Sequence, residues 1–208
     1  MPEPYSYHPL YIERIQYTVN SALCHHSQLA CFFVTLRFPQ NKVCRDDHDA
    51  ISRFIDALKY QINTYIDVKR SQDKRVHSTT LHYIWAREFG IRNDNKHYHV
   101  VLILNKNTFH QLGHYSLPDS GPGSLANMIQ RAWCSAIKLP IGSYANLASF
   151  TPEFPCMWIE NNAPFQRTQA EKRMFYLAKY YSKRAGDNKH SFECSQSRPS
   201  LLNGRKRS

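Results

Sequence analysis

The 208 residues suffice for one domain with a sizeable core, and no second domain is needed. No run of about 18 apolar residues occurs, and Met1 to Pro9 lacks a basic segment followed by an apolar one. Neither a membrane span nor a secretory signal is therefore expected, and the chain reads as cytoplasmic. Its 27 Lys and Arg against 16 Asp and Glu leave a net charge of +11, which favours an anionic partner, nucleic acid first, without separating DNA from RNA.

Ile12, Ile15, Val19 and Leu23 recur at helical spacing and predict an N-terminal helix over about residues 10–29, with Cys24-His25-His26 as a helix end without chemistry. The aromatic and β-branched run Cys31 to Phe38, stopped by Pro39, predicts a buried strand. Asp46 and Asp47 offer caps for a long helix with Ile51, Phe54, Ile55, Leu58, Ile62, Tyr65 and Ile66 on one stripe. Thr79 to Phe89 predicts a second strand, with Leu81, Tyr83 and Trp85 on one face and His82, Ile84, Ala86 and Glu88 on the other. The polar stretch Gly90 to Asn95 then turns the chain into a third strand, Lys96 to Leu104, giving a hairpin. Ser124 can cap a helix bearing Leu125, Met128, Ile129, Trp133 and Ile137. Cys156 to Glu160 predicts a short strand, and Thr168 to about Ala185 a last helix ended by Gly186. The domain is expected to span 1–187, followed by a basic, disordered tail, 188–208, with Arg205-Lys206-Arg207. This order predicts an α+β fold, a central antiparallel sheet flanked by helices. The six cysteines are scattered without a C-x-x-C pair and read as reduced, buried thiols.

His97 and His99, one residue apart on a strand, point the same way and can share one metal ion, while Tyr98 points to the opposite face. Such a pair arises readily by chance among 11 histidines, so its surroundings decide. Residues facing each other across an antiparallel pair share a face, which brings Glu88 beside both histidines as a third ligand. Two imidazoles and a carboxylate suit Mg²⁺ or Mn²⁺, with Mn²⁺ the better match to nitrogen donors. His82, three same-face steps from Glu88, reads as a satisfied or surface histidine. His110 and His114 have helical metal-pair spacing, but Gly113 weakens that helix and favours a surface role. No G-x-x-x-x-G-K-[ST] loop is present, so no nucleotide cofactor is expected and any unwinding would come from a host helicase.

On a continuous last helix, Tyr176 and Tyr180 share a face with Lys172, Lys179 and Lys183, while Met174, Leu177, Ala178 and Tyr181 lie on the apolar side. Core packing explains poorly two hydroxyls on a lysine-lined face, and a solvated amphipathic surface is the alternative. Arg37, Lys172, Arg173 and Arg184 are the candidate phosphate contacts.

Three segments occur in order: Phe32-Phe33-Val34-Thr35-Leu36-Arg37-Phe38-Pro39, then Glu88 ahead of His97-Tyr98-His99, then Tyr176-Leu177-Ala178-Lys179-Tyr180. Together they resemble the three motifs of rolling-circle replication initiators, the HUH endonucleases. More narrowly, the chain resembles the YagK/YfjJ prophage family and the inovirus gene II-like replication proteins, over roughly Cys31 to Lys183. Arg37 stands where related initiators often carry a second Thr. The resemblance implies an HUH/Rep-like fold and a metal-dependent enzyme that nicks and transfers single-stranded DNA at an origin. Tyr176 or Tyr180 would attack phosphorus, leaving a 5′-phosphotyrosyl enzyme and a free 3′-hydroxyl, with Lys179 and Lys183 favouring the ionised phenol. Other readings remain beside it: an inactive DNA-binding relic or regulator of the same fold, a relaxase- or transposase-type HUH enzyme, and a zinc hydrolase, which lacks its H-E-x-x-H helix here.

Overall fold

Strand β1, Gln28–Arg37, is apolar on both faces, which is possible only for a strand covered on both sides. The computed structural model, described for residues 6–40, 44–90, 95–116, 123–179 and 191–195, places it inside a mixed α+β fold. Strands β2, His82–Phe89, and β3, Lys96–Asn105, form the expected hairpin. Short strands β4, Ala148–Phe150, β5, Cys156–Glu160, and β6, Phe192–Cys194, complete an antiparallel sheet of order β4-β1-β3-β2-β6, with β5 also on β1. β4 pairs with Val34–Leu36 and β5 with Gln28–Phe32, so the two share one edge.

Helices α2, Ala50–Ser71, and α3, Leu125–Ala136, cover one face. The α2 stripe Ile51, Phe54, Ile55, Leu58, Ile62 and Ile66 packs there with Phe32, Val34, Tyr98, Val100 and Trp133. Full burial of each of these large side chains contributes about 1.5–3 kcal/mol. Helices α1, Pro9–His25, and α5, Pro164–Met174, cover the opposite face through Ile15, Val19, Ala22, Ala170 and Met174 against Leu29, Cys31, Phe33, Ile84, Ala86, Val101 and Ile103. A single turn, α4, Ile141–Tyr144, precedes β4. Among the described residues no helix is long and apolar enough to cross a membrane, and all six cysteines are free thiols.

Ser124 caps α3 as expected, in a reciprocal capping box with Asn127. Other boundaries differ. α1 ends at His25 because the chain must extend into β1 at Gln28. Asp46 and Asp47 do not cap α2: Asp49 holds that position, and Asp47 accepts from the Asp49 amide while pairing with Arg45 and Arg53. β2 begins at His82 rather than Thr79, because the Thr79 hydroxyl receives the Asn105 amide and the Thr80 amide donates to His26. Phe192–Cys194, inside the segment expected to be a disordered tail, pairs as β6 with Ile84–Ala86.

The last helix departs most. It starts at Pro164, which supplies a favourable first-turn residue, and ends at Met174. Phe175–Ala178 form a tighter 3₁₀ turn, and Lys179 is extended, with φ −61° and ψ 140°. The reason is tertiary: Lys179 forms a β-bridge with Tyr7, and the His8 amide donates to the Ala178 carbonyl at 2.8 Å. Pairing with the N-terminal segment replaces the helical bonds that would have carried the helix on through Lys179.

Candidate functional site

The β2–β3 register sets Glu88 opposite His97 and Ala86 opposite His99, on the face covered by α1 and α5. Glu88 Oε2 lies 3.4 Å from His99 Nε2 and 4.0 Å from His97 Nε2. The imidazoles stand edge to face, their centres 4.9 Å apart. One ligand atom from each residue lies within 4.8 Å of the others, so the three side chains can hold one metal ion. Glu88 is 6 % exposed, and a buried carboxylate needs a cation or donors around it.

The surroundings orient the ligands. His97 Nδ1 is 3.2 Å from the Asn95 carbonyl; a carbonyl only accepts, so Nδ1 carries the proton and Nε2 keeps its lone pair. His99 Nδ1 lies 3.3 Å from the Thr35 hydroxyl, which can fix the same tautomer. Hydrogen-bonding of the second ring nitrogen is the arrangement that metal-ligating histidines require. Burial is the main influence lowering the His97 pKa, opposed by the Asn95 hydrogen bond, so this ring favours the neutral, ligating form. The residues present therefore fit a divalent ion.

Tyr176 reaches this group from the 3₁₀ turn after α5, its ring centre 6.1 Å from that of His99, and it is 44 % exposed. Lys179 does not line an exposed basic helical face, because the helix has already ended. It is fully buried, with its ammonium over the Tyr176 ring. Burial lowers the Lys179 pKa and the Glu88 charge opposes that shift, which ties the lysine electrostatically to the metal ligands. A cleft of about 460 Å³ opens beside His99 and Tyr176 and is also lined by Thr35, Thr151, Lys172 and Arg173. Lys172 is exposed there. The Arg173 guanidinium lies 3.9 Å from the centre of the Phe33 ring and donates to the Phe154 carbonyl. Arg37 pairs with His97 in the β1–β3 register, is exposed, and donates to Ser149. Tyr180, Tyr181, Lys183 and Arg184 lie outside the described residues.

Sequence reasoning missed the orienting role of Asn95 and the contribution of Tyr7 to the cleft. The sequence motif around Thr35 does not by itself name its partner; the β1–β3 register does, setting Thr35 opposite His99. His110 and His114 are exposed and lie outside any helix. His82 is neither surface nor satisfied: it is 4 % exposed, and its Nε2 has no hydrogen-bond partner among the described residues.

Comparison with known proteins agrees over nearly the whole chain. The model of the YagK/YfjJ C-terminal domain family matches residues 3–195. The Escherichia coli (strain K12) protein YfjJ is 30 % identical over 199 residues, covering 90 % of this chain and 94 % of YfjJ. YagK of the same organism is 29 % identical over 203 residues, covering 91 % of this chain and 95 % of YagK. Both relatives are described as uncharacterized, so they bring a family and no activity. No solved structure matches the chain.

Proposed function

The chain belongs to the YagK/YfjJ C-terminal domain family, and we propose that it is a metal-dependent enzyme that nicks and transfers single-stranded DNA, a rolling-circle replication initiator of the HUH type. The observation that carries this reading is the approach of the Tyr176 ring, at 6.1 Å, to an imidazole of the Glu88–His97–His99 group. A structural metal site has no need of an exposed phenol beside it.

When bound, Mn²⁺ or Mg²⁺ would neutralise charge on the scissile phosphate and orient it. The side chains do the rest. The Tyr176 oxygen bonds to phosphorus as the bond from phosphorus to the 3′ oxygen breaks; the phenol proton leaves, and the departing oxygen takes one up as a 3′-hydroxyl. A phenol has a pKa near 10, and the Lys179 charge beside the ring favours its ionised form. Lys172 and Arg173 line the same cleft and supply cationic contacts for the phosphates on either side, with Arg37 next to His97. The net charge of +11 draws a polyanion to this surface. Tyr180 serves as the second nucleophile, which lets one strand end stay attached while the other is cut, and Lys183 and Arg184, close to it in the sequence, are further candidate cations.

The test incubates purified protein with labelled circular single-stranded DNA and Mn²⁺ or Mg²⁺, and scores a covalent adduct on a denaturing gel. A metal-dependent adduct lost in His97→Ala is the expected result. DNA binding without an adduct across single-stranded and supercoiled substrates would leave the inactive regulator as the better reading.

A further inference from the structure

We propose that His25 and His82 form a binding site for a Zn²⁺-class transition-metal ion, separate from the Glu88–His97–His99 group, that clips the end of α1 to the start of β2. His82 is 4 % exposed, and its Nε2 is sealed from solvent with no hydrogen-bond partner among the described residues. An orphaned buried ring nitrogen is costly and calls for a physical reason. His25, the last residue of α1, is exposed, and its ring centre stands 5.3 Å from that of His82 with the rings tilted by 48°. Two imidazoles bound at about 2.0–2.1 Å to one tetrahedral ion hold their ring centres about 5 Å apart, which is the spacing found.

The tautomers also fit. His25 Nδ1 lies 2.8 Å from the Ser21 carbonyl and must carry the proton to donate to it, which leaves the Nε2 lone pair for a ligand. His26 Nε2 already accepts from the Thr80 amide at 3.2 Å, so His26 braces the loop before β2. Burial, with smaller contributions from His25 and His26, lowers the His82 pKa to about 4, so this ring keeps a free lone pair at neutral pH. Two neutral imidazoles favour Zn²⁺, Ni²⁺ or Cu²⁺ over Mg²⁺, and the exposed side of His25 leaves room for water to complete the coordination shell.

The test uses the full chain carrying His97→Ala and His99→Ala, which disables the other group. Zn²⁺ is titrated by calorimetry at neutral pH, and folding is checked by circular dichroism. One Zn²⁺ equivalent is expected to remain, to weaken at least tenfold on adding His25→Ala, and to be unaffected by Cys24→Ser or by excess Mg²⁺. His25 is exposed, so that variant should fold even if His82→Gln does not. Absence of Zn²⁺ binding by the folded double variant, or binding that survives His25→Ala, overturns the proposal. This inference does not depend on whether the chain cuts DNA.

Discussion

Thr35 stands directly opposite His99 in the β1–β3 register, its hydroxyl 3.3 Å from Nδ1. A residue two strands from Glu88 thus holds the ring of a metal ligand in place. Thr35→Val, close in shape, should lower affinity for Mn²⁺ by about 10–100-fold. The unfolding midpoint in urea should move little. Calorimetric titration checks this, and unchanged Mn²⁺ affinity would show that the hydroxyl does not orient the ring.

Glu88 is the only carboxylate in the three-residue group. Glu88→Gln keeps the size and removes the charge, so it should weaken divalent-ion binding at least tenfold and abolish any metal-dependent adduct. Chelation of the wild type should give the same loss, restored by added Mn²⁺. An adduct that forms fully in EDTA would rule out a catalytic metal.

Tyr176→Phe should leave metal affinity largely unchanged while impairing strand transfer, because the Glu88, His97 and His99 donors all remain. Tyr180→Phe should impair transfer as well, and the double change should abolish covalent attachment. Mass spectrometry of the adduct identifies the attached residue. Attachment surviving the double change moves the nucleophile elsewhere, with Tyr181 the first residue to test.

His82 gives stability a pH dependence whose sign is fixed. Its pKa is lowered to about 4 in the fold, chiefly by burial, against an ordinary value of 6.5. Between those values the unfolded chain binds a proton that the folded chain does not, so stability falls as the pH drops from about 6.5 towards about 4. His82→Leu removes this titration. Urea unfolding in chelator from pH 7.5 to 4.5 should show a shallower decline in the variant, and equal slopes would refute the assignment.

Trp133 and Leu58 test the face away from the site. The Trp133 indole donates to the Arg37 carbonyl at 2.8 Å and is fully buried. Trp133→Phe should therefore cost about 1–3 kcal/mol for the lost bond and stranded carbonyl. Leu58→Ala, in the centre of α2, should cost about 2–5 kcal/mol. Chemical denaturation measures both.

The elements most legible in the sequence are those whose determinants are local. The His97 strand, the Glu88 strand and their hairpin follow from alternation and a polar turn, and with them the Glu88–His97 pairing. The α3 boundary follows from Ser124 and the stripe behind it. What escaped is set at a distance. The helical periodicity around Tyr176 extends beyond Met174, but Lys179 is claimed by Tyr7, so a wheel drawn from Tyr176 to Lys179 has no α-helix beneath it. β6 is only three residues long and acquires strand geometry by pairing with Ile84–Ala86. His82 could not be told from a surface histidine because the end of α1, far earlier in the chain, brings His25 against it. Pro164 was a local signal for the start of α5 that the reading from Thr168 passed over.

The bridge between Tyr7 and Lys179 joins segments from opposite ends of the described chain, on either side of nearly every other element. During synthesis the β2–β3 hairpin can gather Glu88, His97 and His99 long before that bridge can close. The segment carrying Tyr176 emerges from the ribosome well after that hairpin, and it is pinned by a segment made well before it. A nascent or truncated chain could therefore present the ligand group without the phenol beside it.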